Sequence, residues 1–160
     1  MPIILGIDPG SRTTGYGIVD LQSQNITYID SGCIKTGTGT AFIQRLMLIY
    51  QAIEEIITSY QPEHLAIEEV FLARNPQSAL KLGQARGAVI VACIKQNISV
   101  YEYAARRIKQ AVVGYGNADK KQMQYMVRQL LHLNKLPAQD AADALAVALC
   151  HCYTYQSCQY

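Results

Sequence analysis

Near its start the chain reads Ile3-Ile4-Leu5-Gly6-Ile7-Asp8-Pro9-Gly10-Ser11-Arg12-Thr13-Thr14-Gly15-Tyr16-Gly17-Ile18-Val19. Apolar residues lead to Asp8, Pro9-Gly10-Ser11 offers a tight turn, and a second β-prone run follows, which predicts an antiparallel hairpin. Only apolar residues and glycine precede the acid from Ile3 onward, the pattern of a strand covered on both faces. A carboxylate at the end of such a strand must be paired or bound to a cation. Asp8 is therefore the first candidate site residue, and the rest of the chain has to supply what joins it.

The following elements build a sheet around that hairpin. Gln24 to Ile34 alternates β-branched and aromatic residues and predicts a third antiparallel strand, with Gly32 marking a bulge. Thr40 is placed to cap a helix whose residues Phe42, Leu46, Ile49, Ile53, Ile56 and Tyr60 form an apolar stripe ended by Gln61-Pro62. His64 to Ile67 reads as a short buried strand running into Glu68-Glu69, so a second acid stands at a strand end. From Pro76 to Gln96 the pattern is helical, with Leu82, Ala85, Val89, Ala92 and Cys93 on one face. Gly83 and Gly87 lie one turn apart, a cost in helix propensity that lets another backbone approach closely, as in a helix-packing or dimer face. Ile98 to Tyr103 is a fifth strand, and helices are predicted from Ala104 to Val112, Asp119 to Leu133 and Ala138 to Tyr153. The expectation is an α/β fold, a mixed five-stranded sheet flanked by helices, in one domain over residues 1–153, with 154–160 a disordered tail.

Composition narrows the class. Half of the 160 residues are apolar, enough for one core. No stretch approaches the ~18 apolar residues of a membrane span, and the start lacks the basic and apolar pattern of a signal peptide, so a cytoplasmic protein is expected. Five scattered cysteines without a C-x-x-C pair fit free thiols, and Cys150-His151-Cys152 has the spacing of neither a zinc finger nor a zinc ribbon. The net charge of +2 hides an asymmetry: −5 over residues 1–69, +9 over 70–136 and −2 over 137–160. A basic middle of that size fits a polyanion-binding face, although solvated helix faces give the same count.

The last predicted helix is apolar on nearly every side except for Asp140 and Asp143, which at i and i+3 project from one face. Acids in a first turn also favour the helix dipole. Yet two acids on a helix packed all round repel each other unless a cation joins them. Asp8, Glu68, Asp140 and Asp143 together offer hard oxygen ligands of the kind that suit Mg²⁺ or Mn²⁺. Carboxylates holding two such ions roughly 4 Å apart are the usual equipment for in-line phosphodiester displacement.

At these residues the chain resembles a known family. Ile7-Asp8-Pro9-Gly10-Ser11-Arg12, Ala66-Ile67-Glu68, Ser78 to Gly87 (SALKLGQARG), Tyr103-Ala104-Ala105-Arg106, Val112-Val113-Gly114 and Asp140 to Ala146 (DAADALA) closely resemble the RuvC family of Holliday-junction resolvases, in the family's order and over almost the whole chain. The resemblance implies a ribonuclease-H-like fold, a homodimer, and symmetric Mg²⁺-dependent nicks in a four-way DNA junction during recombination and repair, with Mn²⁺ able to substitute and two ions per site. It also implies a branch-migration partner of the RuvA and RuvB type. Residue by residue, Asp8, Glu68, Asp140 and Asp143 match the family's four acids. Glu69 is set aside because on a strand it would face away from Glu68. Phe71 matches an aromatic that stacks on a base at the junction core, and Lys109 and Lys120 match basic residues near the scissile phosphate. Arg74, Lys81 and Arg86 are implied as weaker DNA-backbone contacts, and Gly83 and Gly87 as part of the dimer face. Gly6-Ile7-Asp8-Pro9-Gly10-Ser11 also looks like the first phosphate loop of actin-like kinases, but those pair two such domains, and no second Asp-Gly-rich loop is present here. A non-catalytic junction-binding module is the other alternative, and the four acids weigh against it.

Overall fold

The computed structural model describes residues 1–70 and 75–159. The strands β1 (Ile3–Asp8), β2 (Thr13–Gln22), β3 (Asn25–Lys35), β4 (His64–Glu68) and β5 (Ser99–Tyr103) form one sheet, in the order β3-β2-β1-β4-β5. The first three are antiparallel, β4 runs parallel to β1, and β5 parallel to β4. Helices α1 (Phe42–Tyr60) and α2 (Pro76–Lys95) connect the later strands, and α3 (Ala105–Val113), α4 (Lys120–Leu130) and α5 (Gln139–Ser157) follow β5. This is the expected mixed five-stranded sheet, with β1 at its centre.

Strand alternation decides what each face carries. Leu5 and Ile7 of β1 and Leu65 and Ile67 of β4 pack with Ile49, Ile53 and Ile57 of α1 and Val89 of α2. Ile4 and Ala66 point the other way, into a core made with α3, α4 and α5. Four residues on from Ile4 and two on from Ala66, Asp8 and Glu68 fall on the same, α5 side. Strand parity thus aims both acids at the helix that carries the other two.

Helix α5 lies directly on the sheet because the sheet has no side chains beneath it at two points. A Cβ built on Gly6 would sit 2.1 Å from the carbonyl oxygen of Ala144, and one on Gly15 would sit 2.0 Å from that of Asp140. Gly15 is the β2 partner of Asp8 and Gly6 is two residues before it, so the glycines floor the approach to the acid. The helix answers with small residues, and it is buried without a break from Ala144 to Cys152.

Four local expectations are corrected. Helix α1 is capped at Ala41, with no side-chain hydrogen bond, so Thr40 does not cap it. The β2–β3 register steps from Ile18 opposite Asp30 to Val19 opposite Tyr28, which makes Ile29 the bulged residue. Gly32 instead stands opposite Tyr16, whose ring would lie 2.9 Å from an added Cβ. Helix α4 ends at Leu130 and α5 continues to Ser157, four residues past the expected Tyr153. Contacts hold that last turn: Arg107 donates to Thr154 Oγ1 at 3.2 Å, Gln156 donates to the Ser23 carbonyl at 3.2 Å, and Tyr155 packs on His64 with ring centres 5.2 Å apart.

The glycine seat gives a first prediction. Gly6→Ala lowers unfolding stability by roughly 3 kcal/mol, because backbone must move to admit the methyl group. Gly83→Ala, with nothing within 4 Å of its added Cβ, is neutral or stabilising by up to about 1 kcal/mol. Urea unfolding monitored by circular dichroism checks both.

Candidate active site

The acids on the sheet and on α5 meet where parity and the glycine seat converge. Asp8, Asp140 and Asp143 each present a carboxylate oxygen, and these atoms lie within 4.8 Å of one another. Glu68 stands outside that triad but lines the same cleft as Asp8 and Asp143, a hollow of about 200 Å³. Lys109 of α3 and Lys120 of α4 form its basic wall, while Ile108, Met123 and Ala146 form an apolar one. Lys120 Nζ lies 3.6 Å from Asp143 Oδ2. Asp140 opens on the other side to a hollow lined by Thr13, Cys33 and Lys35.

The local structure around the acids follows from the sequence. Asp119 caps α4 by accepting from the Gln122 amide, and the Gln122 side chain accepts from the Asp119 amide in return, a capping box that sets Lys120 in the first turn facing the cleft. Gly114 ends α3 in a left-handed conformation, with φ 98°. Across the turn at the end of β1, Thr14 donates its hydroxyl to the Gly10 carbonyl at 2.8 Å, which fixes the chain just after Asp8.

Electrostatics single out Asp8. Burial, followed by the charges of Asp143, Glu68 and Asp140, pushes its carboxyl from the usual 3.8 up to about 7, against a smaller opposing effect of Lys120. Glu68 is also raised, first by burial and then by Asp143, with Lys109 and Lys120 opposing. Asp143 is raised by burial and by Asp140, while Lys120 opposes that shift. Carboxylates this close carry more negative charge than the two lysines offset, so the arrangement favours either a bound proton or a bound cation. Hard oxygen donors on three separate elements are a donor set for a divalent metal ion.

The remaining predicted residues fall in different places. Phe71 and Arg74 lie outside the described residues. Lys81 is exposed on α2, its Nζ 5.6 Å from the centre of the Phe42 ring. Arg86 is largely buried: its Nε–H donates to the Glu68 carbonyl at 3.0 Å and its other end pairs with Glu102. Among the described residues no atom lies within 4 Å of a Cβ added to Gly83 or Gly87; Gly83 is exposed and Gly87 partly so. Glu69 is exposed, in keeping with its being set aside. Cys150 and Cys152 are core residues. Between them His151 Nδ1 lies 2.6 Å from the Tyr103 hydroxyl and its Nε2 lies 2.9 Å from His64 Nδ1, a buried hydrogen-bonded chain. Sequence reading missed the role of Gly6 and Gly15. The signal lay in their register, since the glycines could be paired with Gly17 and Asp8 across a predicted hairpin.

Comparison with known proteins agrees with this geometry. The family model described as Crossover junction endodeoxyribonuclease RuvC matches residues 4–151. A crossover junction endodeoxyribonuclease RuvC of Pectobacterium atrosepticum is 59% identical over 157 residues, which are 98% of this chain and 92% of the relative. The solved structure of Thermus thermophilus RuvC in complex with Holliday junction substrate superposes with a TM-score of 0.91 at 33% identity, covering 98% of this chain and 96% of that one. The yeast mitochondrial Holliday junction resolvase, at 15% identity and a TM-score of 0.68 over 98% of this chain and 80% of its own, shares the fold.

The raised Asp8 carboxyl has a consequence for stability. Between its unfolded value near 3.8 and its folded value of about 7, the native state holds a proton that the unfolded state has released. Metal-free stability contributed by this group is therefore present at low pH and is lost as pH rises toward 7. The thermal midpoint of metal-free protein falls from pH 5 to pH 7.5 relative to that of Asp8→Asn, and added Mg²⁺ raises it more at pH 8 than at pH 5. Differential scanning fluorimetry across pH, with and without chelator, measures this.

Proposed function

The chain belongs to the RuvC family of crossover junction endodeoxyribonucleases, and from that premise we propose that it resolves four-way DNA junctions by paired, symmetric phosphodiester hydrolysis in recombination and repair. The observation that carries the chemistry is the carboxylate group of Asp8, Asp140 and Asp143 within 4.8 Å, with Asp8 raised to about 7 by burial and then by its acidic neighbours. Such a set fits divalent cations, and we assign Asp8, Glu68, Asp140 and Asp143 as the residues that hold two Mg²⁺ per site, or Mn²⁺ in their place. When bound, the metal supplies Lewis-acid charge for the attack of water on phosphorus and the departure of the 3′ oxygen. Asp8 is the acid on which all three of the others act, so we assign it as the residue shared between the ions. Lys109 and Lys120 offset negative charge at the cleft and hold the phosphate backbone against it.

Other parts of the reading rest on the family match and on charge. The +9 of residues 70–136 supplies the sequence-independent part of DNA affinity. Phe71 is assigned to stacking on a base at the junction core, with Arg74 and Lys81 on the phosphates. A four-way junction needs two nicks to become two duplexes, and one chain carries one such cleft, so we assign a homodimer. Its support is an outward stripe on α2, where Leu80, Val91 and Ile94 are exposed around Gly83 and Gly87. A branch-migration complex of the RuvA and RuvB type would deliver the junction, in the cytoplasm where the DNA is. No described helix is long and apolar enough to cross a membrane.

Two outcomes test this. Asp8→Asn abolishes cleavage of a synthetic four-way junction in Mg²⁺ while junction affinity, measured by gel shift in Ca²⁺, stays within about twofold because the lysine and arginine contacts supply it. Near-normal incision by that variant contradicts the assignment. Gly83→Glu, which sets a charge on the apolar stripe, shifts the protein to monomer in sedimentation and leaves junctions nicked in one strand only.

A further inference from the structure

Beyond the acids and lysines of the cleft, we propose that Arg86 is a positioning residue that fixes the end of β4 from which Glu68 enters the cleft, rather than a contact to DNA. The inference rests on the metal-dependent nuclease reading above. It starts from where the sheet stops. The parallel ladder between β1 and β4 ends at the pair Ile7 and Ile67, whereas Asp8 continues to pair only with Gly15 of β2. Past that point Glu68 has no registered partner on β1, and on the far side it pairs with Tyr103 of β5, whose carbonyl accepts from the Glu69 amide at 2.9 Å. The end of β4 that carries Glu68 is thus in register on one side only.

Arg86 braces that end of β4 from the α2 side. It reaches from α2, with a side chain 14% exposed. Its Nε–H donates to the Glu68 carbonyl at 3.0 Å, and a terminal nitrogen pairs with Glu102. Glu102 is the residue registered beside Ile67 on β5. A planar guanidinium that binds a carbonyl on β4 and a carboxylate on β5 fixes both the spacing and the rotation of the two strand ends. It also ties them to α2, the helix that carries the proposed dimer stripe. With two of its five N–H donors engaged and its side chain 14% exposed, the guanidinium presents little surface to a phosphate. A lysine, with a point charge and no fork, could satisfy the carbonyl or Glu102 but not both with the same geometry. Groups behind a metal ligand that orient it typically change metal affinity or activity by roughly 10- to 100-fold when removed.

The test uses the full chain and compares wild type with Arg86→Gln, Arg86→Lys and Glu102→Gln. Three quantities are read: binding of Mn²⁺ to the protein alone by electron paramagnetic resonance, the Mg²⁺ concentration for half-maximal single-turnover cleavage, and junction affinity with its salt dependence in Ca²⁺. Positioning predicts that Arg86→Gln weakens Mn²⁺ binding and raises the half-maximal Mg²⁺ roughly tenfold or more, with junction affinity and salt slope unchanged. Arg86→Lys, which keeps the charge, fails to restore metal binding. Glu102 is half exposed, so Glu102→Gln folds even if Arg86→Gln does not, and it shifts metal binding in the same direction by a smaller factor. The proposal is overturned if Arg86→Gln weakens junction binding and lowers the salt slope by about one with metal binding unchanged. It is overturned equally if Arg86→Lys behaves as wild type, or if Glu102→Gln leaves metal binding untouched. Wild type that does not cleave the junction would instead remove the nuclease reading itself.

Discussion

The seating of α5 on bare backbone is the contact on which the rest of this structure depends. Carbonyl oxygens of Ala144 and Asp140 occupy the space where side chains of Gly6 and Gly15 would be, so the distance from helix to sheet is set by main chain rather than by rotamers. That matters because Asp140 belongs to the contact itself. A helix held on side chains could shift by a methyl group's width and still pack, whereas one held on a carbonyl cannot. The same seat explains the composition of α5. Small residues meet Gly6 and Gly15, Leu145 lies over Gly17 of β2, and Leu145 and Leu149 belong to the continuous core that includes residues of α3 and α4.

This rigidity is directed against the electrostatics of the site. Asp8, Glu68 and Asp143 lie where burial disfavours charge, with Asp140 close to Asp8 and Asp143, and the two lysines of the cleft offset only part of the repulsion. The fold therefore carries a locally unfavourable arrangement that its core must overcome, a familiar feature of sites arranged for a ligand rather than for stability. Divalent cations would relieve the repulsion, so binding and folding are coupled through the same carboxylates. Arg86 fits that logic, because it restrains the one acid that lies where the ladder between β1 and β4 has ended.

Much of this was legible in the sequence, for reasons that can be named. The period-2 runs around β1 and β4 placed Asp8 and Glu68 at strand ends, and the i, i+3 spacing placed Asp140 and Asp143 on one helix face. A metal-dependent phosphodiester site followed from those positions. Narrowing to junctions came from the resemblance, because nothing in four carboxylates distinguishes one nucleic acid from another. Local boundaries failed where tertiary contacts outweigh propensity. Thr40 is a good capping type, yet the chain turns into α1 one residue later. Gly32 suggested a bulge but serves to admit the ring of Tyr16. Helix α5 outran its expected end because Arg107 and His64, distant in sequence, hold its last turn. Arg86 could not be read as internal at all, since its partners are a carbonyl and an acid brought to it only by the sheet.

Asp8, together with the aspartates α5 brings to it, is assigned to hold divalent metal. Crystals of the protein soaked in Mn²⁺ at a concentration that supports cleavage, with diffraction collected at the manganese edge, put that assignment to the test. An anomalous peak is expected within bonding distance of the Asp8 carboxylate and of at least one of Asp140 and Asp143. Manganese bound elsewhere with the cleft empty, in crystals of protein that cleaves junctions in the same solution, would contradict it.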